Sequence, residues 1–481
     1  MISYWLTRFY FQRALGFIYC LGFLIAANQF RALCGEKGIL PIRLFVKRIE
    51  FWDSPSLFWL NSSDNFILIL AYLGLVLAVL ATIGISDSFG PWVSGIFWFS
   101  LWLIYLSFVN VGQTFYSFGW KTLLLETGFL SIFLGSSNRA PSALVIWLMR
   151  WILFRLMFGA GLIKLRGDEC WRDLTCMNYH YETQPMPNPL SWYFHQLPEW
   201  VNKGAVLFTH FAELVVPFFY FAPKPLRHWA GVITIIFQGM LILSGNLSWL
   251  NYITIVLCIV CFDDSILPRL EMWTKSMGLS FTESTDTVIG TPLVYVVASV
   301  ILLLSIKPTI NLLSPRQMMN TSFEPLHLVN TYGAFGSITR KRFEVIIEGN
   351  NDLSSDHWQE YTFKGKPSEV ERRPPIISPY HLRLDWQMWF AAMSSYEYHP
   401  WILSLIGKLL QGNAQVLSLF RGNPFGQNPP KYIRASLYEY NFADPSNKNW
   451  WVRKYVREYL PALSLDNPKF KTLLLEQGWS E

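Results

Sequence analysis

Long apolar runs fill the first 315 residues and then stop. Residues 66–85, 89–111, 143–165, 201–222 and 291–313 each supply about 20 mostly apolar positions, enough to cross about 30 Å of hydrocarbon as a helix. Residues 11–30 do the same, with Gln12 and Arg13 at their start. Shorter or interrupted runs lie at 120–134, 228–244 and 247–262, which makes nine candidate spans, six of them firm. Backbone at this depth must satisfy its own hydrogen bonds, and none of these runs alternates as a barrel strand would, so helices are expected. The first begins near residue 11 without a small-residue cleavage site behind it and reads as a retained signal anchor. Trp5, Trp92, Trp120, Trp200 and Trp249 fall at span ends and suggest interfacial belts.

Beyond residue 315 the pattern changes. Residues 342–348, 358–363 and 431–442 read as strands; in the last, Ile433, Ala435 and Leu437 alternate with polar or aromatic neighbours. Prolines at 374–375 and 429–430 mark turns. Residues 400–420 form an apolar run with one charge, Lys408, expected as an amphipathic helix on the membrane face or in the domain core. Residues 450–460 (WWVRKYVREYL) also read as a short amphipathic helix. The expected fold is therefore an α-helical multi-pass membrane bundle of about nine helices over residues 1–315, with an extramembrane loop at 166–200. A β-rich extramembrane C-terminal domain with flanking amphipathic helices follows over residues 316–481.

Composition agrees with this division. Of the 72 charged residues (39 Lys/Arg, 33 Asp/Glu), 37 lie in residues 1–315 and 35 in the remaining 166. The whole chain is 15% charged and 52% hydrophobic, which excludes an all-soluble or disordered protein. The net charge of +6 is spread evenly and gives no reason for a nucleic-acid partner. Lys and Arg do not settle orientation, because with a cytoplasmic N-terminus the outside loops carry more of them than the inside ones.

Ionisable groups inside spans are costly and mark sites or packing pairs. Glu126, Arg150, Arg155, His210 and Glu213 are the candidates for an intramembrane polar cluster. Arg150 and Arg155 point to different faces; His210 and Glu213 share one and can pair with an Arg of the preceding helix. Of six cysteines, Cys20, Cys258 and Cys261 lie in apolar runs, and Cys34 follows the first. Cys170 and Cys176 flank a loop just outside a span, where a disulfide is easy in an oxidising compartment; free thiols or metal ligation are the alternatives. No Cys/His set has zinc spacing, and no metal or cofactor is expected. No phosphate loop, nucleophile elbow or His-Glu-x-x-His occurs. Sequons at Asn61, Asn246 and Asn320 are near chance.

Several longer stretches carry a resemblance. They are 112–115 (GQTF), 120–129 (WKTLLLETGF), Arg150, Arg155, 164–190 (KLRGDECWRDLTCMNYHYETQPMPNPL), 244–251 (SGNLSWLN), 263–264 (DD), 330–337 (NTYGAFGS), 382–392 (LRLDWQMWFAA) and 423–430. With them the chain resembles the lipase maturation factor family from end to end. The resemblance implies a multi-pass protein of the endoplasmic reticulum membrane, N-terminus cytoplasmic and C-terminal domain lumenal. Such a protein assists folding and assembly of secreted dimeric lipases such as lipoprotein lipase, is tied to thiol-redox folding proteins, and is not an enzyme. It also implies an oxidising surrounding for Cys170 and Cys176, which favours their bridge. For a bacterial member the location would be the inner membrane, with the C-terminal domain periplasmic. The partners expected are then the lipid bilayer and secreted clients, with Trp171, Tyr179, Tyr181 and Trp192 as a client-facing loop. A second reading is a membrane enzyme distantly like the vitamin K-dependent carboxylase group, built on the polar cluster. A transporter would call for internal repeats, which the sequence lacks.

Overall fold

The computed structural model describes residues 3–136, 140–266, 291–476 and 479. Among them, seven helices are long and apolar enough to cross a membrane. The bundle helices are α1 (Trp5–Cys34), α2 (Asp64–Ile83), α3 (Pro91–Val111), α4 (Gly119–Ser131) and α5 (Ala143–Arg166). They continue as α6 (Glu199–His210), α7 (Lys224–Ser244), α8 (Leu250–Cys258), α9 (Thr291–Leu304) and α10 (Ile306–Leu313). All nine predicted runs are helical, with ends set by local chemistry. The hydroxyl of Ser63 accepts the Phe66 N–H at the start of α2, and Gly84, at φ +90°, ends it where a side chain would be strained. The α1 helix is longer than its apolar core predicts. Its polar first turns fold inward: Gln12 donates to the Gly135 carbonyl at 3.2 Å, and the Asp264 carboxylate accepts the N–H groups of Trp5 and Leu6 at 3.0 and 2.9 Å.

Two spans break. Residues 201–222 run as α6, a π turn (Phe211–Val215) and a 3₁₀ turn (Val216–Phe221), because Pro217 has no N–H to continue the α pattern. Residues 291–313 break at Ser305, between α9 and α10.

Chain ends and loops sort to opposite ends of the bundle. Gln29, near the end of α1, bonds to residues 381 and 383, and Gln387 bonds to Thr114, just past α3. The loop at 166–200 sits at this same end, because Asp168 follows α5 and binds Arg340. The start of α1 lies at the other end, beside residues 135–136 and 262–264.

The C-terminal domain holds a four-stranded antiparallel sheet in the order β2 (Gln359–Glu360), β1 (Arg342–Asn350), β5 (Tyr432–Phe442), β6 (Trp451–Leu463). A smaller pair joins β3 (Thr362–Phe363) to β4 (Phe420–Gly422). Residues 358–363 thus serve two sheets rather than one strand. Val345 and Ile347 of β1 oppose Leu437 and Ala435 of β5, all buried, beside α11 (Arg383–Ala392) and α12 (Trp401–Leu410). The α12 helix is buried almost throughout, so the apolar run at 400–420 belongs to the domain core and not to the membrane face.

Residues 450–460 are not a helix. Their apolar positions follow a helical period, yet they form β6. Trp, Val and Tyr favour strands, and three register irregularities against β5 erase the alternation that would have announced one. The flanking helix is instead Pro468–Glu476, anchored by Phe470 and Leu474.

The belt reading also needs correction: Trp92 and Trp200 are exposed, but Trp5, Trp120 and Trp249 are buried.

Candidate functional site: the polar seam between bundle and C-terminal domain

The five predicted intramembrane polar residues do not form one cluster. They fall into separate sites, each closed by a partner. Glu126 of α4 pairs with Arg155 of α5. Its other oxygen accepts the Asn330 backbone N–H at 3.1 Å and the Tyr332 hydroxyl at 2.6 Å. Arg155 in turn donates to the Asn330 carbonyl at 2.6 Å. This pair pins the segment linking the bundle to the C-terminal domain. Arg150, five residues earlier and on another face, donates to the Val260 carbonyl and the Tyr4 hydroxyl, both at 2.9 Å.

His210 and Glu213 take different partners as well. His210 Nε2 lies 2.9 Å from the Trp171 carbonyl. Glu213 sits in the π turn, and both its oxygens accept from Lys164 of α5, at 2.8 and 2.7 Å. The expected arginine partner is thus a lysine. Gly161 makes this approach possible. A Cβ there would come within 2.7 Å of the Leu214 side chain and 3.0 Å of the Glu213 Cβ. Sequence reasoning passed over Lys164 because it stands at a helix end without a motif. The adjoining small residues Ala160 and Gly161, one turn inside the span, are the signal that another element packs there. The Lys164–Glu213 pair borders a cleft of about 610 Å³, and Arg155 borders a smaller one of about 200 Å³.

A third seam joins α4 to the C-terminal domain. Lys121, fully buried, places its Nζ 2.8 Å from His381 Nδ1 and 3.3 Å from the centroid of the Trp249 ring. Trp120 and Trp386 complete the surround. Nothing in the sequence pattern pairs Lys121 with a histidine 260 positions away.

The loop at 166–200 is folded against the C-terminal domain rather than presented to solvent. Cys170 and Cys176 face each other with Cα atoms 4.8 Å apart, inside the range a disulfide spans. Asp168 caps the turn that carries Cys170 and receives two hydrogen bonds from Arg340, at 3.0 and 2.7 Å. The Arg340 guanidinium holds this carboxyl down at about 2. Further along, Arg342 of β1 donates to the carbonyls of Glu182 and Pro185 at 3.0 and 3.1 Å and pairs with Glu344.

The four aromatics expected to face clients are used in this docking. Trp171 is 1% exposed and donates to the Phe335 carbonyl. Tyr181 stacks on Phe194. Tyr179 lies under Arg340. Trp192 donates to the Ala443 carbonyl. Each ring has a better-defined partner within the chain than in solvent, which is why it turns inward. The exposed rings at this loop are Tyr193 and Trp200.

Two histidines at the seam predict a pH response. Burial, with Lys164 adding, lowers His180 to about 4, and burial lowers His327 to about 4. The unfolded chain takes up these protons near 6.5, so folded stability falls as pH drops through 6.5 and the loss is complete below about 4. The expected loss is on the order of 1 kcal/mol per histidine at pH 5.5. Thermal unfolding in detergent at pH 7 and 5.5 checks this. A His180→Asn/His327→Asn double variant should show a smaller difference between the two pH values, and an unchanged difference would contradict the assignment.

Comparison with known proteins completes the description. The family profile of the lipase maturation factor transmembrane domain matches residues 6–269, and that of the lipase maturation factor C-terminal domain matches residues 328–461. Lipase maturation factor 1 of mouse is 45% identical, with 98% of this chain and 89% of the relative covered. The human protein of the same name is 42% identical over 99% of this chain and 91% of its own. Lipase maturation factor 2 of Xenopus laevis is 32% identical over 98% and 84%. No solved structure matches. The carboxylase reading finds no support among these relatives. With both of its parts matched and the likeness running through nearly its whole length, the chain belongs to the lipase maturation factor family.

Proposed function

We propose that this protein is a membrane-embedded maturation factor that assists the folding and assembly of secreted lipases, and that it acts without catalysing a reaction. The observation that carries the reading is the full-length likeness to relatives named for lipase maturation. The architecture supports it, because the folded polar mass sits at one end of the bundle, opposite the start of α1. We place the chain in the endoplasmic reticulum membrane with the C-terminal domain lumenal, where secreted clients and thiol-redox folding proteins meet it. Co-expression with a secreted dimeric lipase tests this. Secreted lipase activity should rise several-fold with the full chain and stay at background with a chain lacking residues 316–481. Equal activity with and without the full chain would overturn the reading. Protease protection of the C-terminal domain in sealed microsomes tests the orientation separately.

In that compartment Cys170 and Cys176 form a disulfide. Closing so short a loop stabilises by about 2 kcal/mol through the unfolded chain. A Cys170→Ser/Cys176→Ser variant should unfold correspondingly earlier than the wild type, and reductant should bring the two together. Identical unfolding in the absence of reductant would mean the thiols are free.

A further inference from the structure

The bundle contains a lined cleft that the proposed role leaves unused. It lies between α5, the π turn, α7 and α8, and the loop at 166–200 roofs it through Met177 and His180. Its volume of about 610 Å³ falls within the range of small-molecule sites. The walls are apolar: Leu156, Met157, Ala160, Phe237, Leu241 and Leu247. Leu241 and Leu250 are only half-buried, on helices whose neighbouring Leu243 and Met240 are exposed on the lipid-facing surface.

Polar groups in the cleft are few and particular. Lys164 and Glu213 neutralise each other through both carboxylate oxygens, so the site carries no uncompensated charge. An ionised ligand would have to leave water without a counter-charge. Asn251 donates to the Gln238 side-chain oxygen at 2.8 Å, which leaves Asn251 Oδ1 buried without a donor. His180 Nδ1 is also buried and unpartnered. Residues Asn251 and His180 are 1% and 5% exposed. Buried polar atoms of this kind call for a partner, and a hydroxyl supplies a donor to one and either role to the other. A water meets the same need for hydrogen bonds but leaves the apolar walls unfilled.

From the neutral, hydroxyl-seeking polar groups set in an apolar cleft we infer that the bundle binds a neutral lipid whose head carries free hydroxyls, its tail along α5 and α7. The inference does not depend on the client reading.

The test uses the full chain in lipid nanodiscs and a monoacylglycerol with a photoactivatable diazirine in its acyl chain. The comparators are a fatty acid and a phosphatidylcholine with the same diazirine chain. Monoacylglycerol labelling should map to peptides holding Met157, Leu241 and Leu250 and exceed labelling by the fatty acid at least five-fold at pH 7.4. Unlabelled monoacylglycerol should compete it away. Ala160→Phe, which fills the cleft, should cut labelling at least five-fold. Asn251→Leu should remove the preference for the hydroxyl head over its methyl ether. Wild-type labelling spread evenly over the lipid-facing α2 and α9, or equal labelling by the fatty acid, would overturn the inference. Should Ala160→Phe fail to fold, the wild-type map and head-group comparison decide.

Discussion

Replacing Arg155 with leucine is expected to cost about 3–5 kcal/mol, since it strands a carboxylate in a buried site. Glu126 and Arg155 are 1% and 2% exposed, and Glu126 keeps only the neutral donors Asn330 and Tyr332 once the guanidinium is gone. Such a loss is a large share of the about 5–15 kcal/mol that holds an ordinary domain folded. The damage should concentrate where the pair acts. Arg155 also holds the Asn330 carbonyl, so the linking segment should become accessible first. Hydrogen exchange should rise across residues 326–336 before the bundle loosens. A Glu126→Gln/Arg155→Leu double variant should recover part of the loss, because no charge is then left alone. An Arg155→Leu protein as stable as the wild type would show that solvent reaches Glu126.

Arg342→Leu is the second large expectation, on the order of 3 kcal/mol. This side chain is fully buried, serves two loop carbonyls and Glu344 together, and lies 5.7 Å from the centre of the Trp451 ring. Lys366, 2.8 Å from Glu344, keeps that carboxylate neutralised, so the loss falls mainly on the loop. Limited proteolysis should open residues 182–196 while the bundle helices stay resistant. Arg342→Lys should rescue little, because a lysine cannot fork to both carbonyls and the carboxylate. Full resistance in Arg342→Leu would mean that the loop is held elsewhere, for instance by Asp168 and Arg340.

The bundle was legible in the sequence because lipid imposes one rule, twenty apolar residues per crossing, and the chain obeys it. The strands β1 and β5 were legible because one face is buried and the side chains alternate. What failed has a common cause. At β6 the bulges against β5 blur the period, and only the partner strand decides the conformation. The fate of Glu126, His210 and Glu213 was set by residues far along the chain, Asn330 and Tyr332 for the first and Trp171 and Lys164 for the others. Helical spacing reports which face a residue shares, and it says nothing about what arrives there later. The same holds for Trp171, Tyr179, Tyr181 and Trp192. Their enrichment in a loop looked like a binding surface, and the structure spends them on internal docking.

The hydrogen bonds between Gln29 and residues 381 and 383 join positions more than 350 apart. Chains emerge from the ribosome front end first. The first helix must therefore wait, its last turn unsatisfied, while most of the protein is still being made. Completion comes only when the final third arrives to close over helices inserted long before. A maturation factor built this way is itself a late-maturing product, and premature stop codons near its end should harm the helices synthesised first.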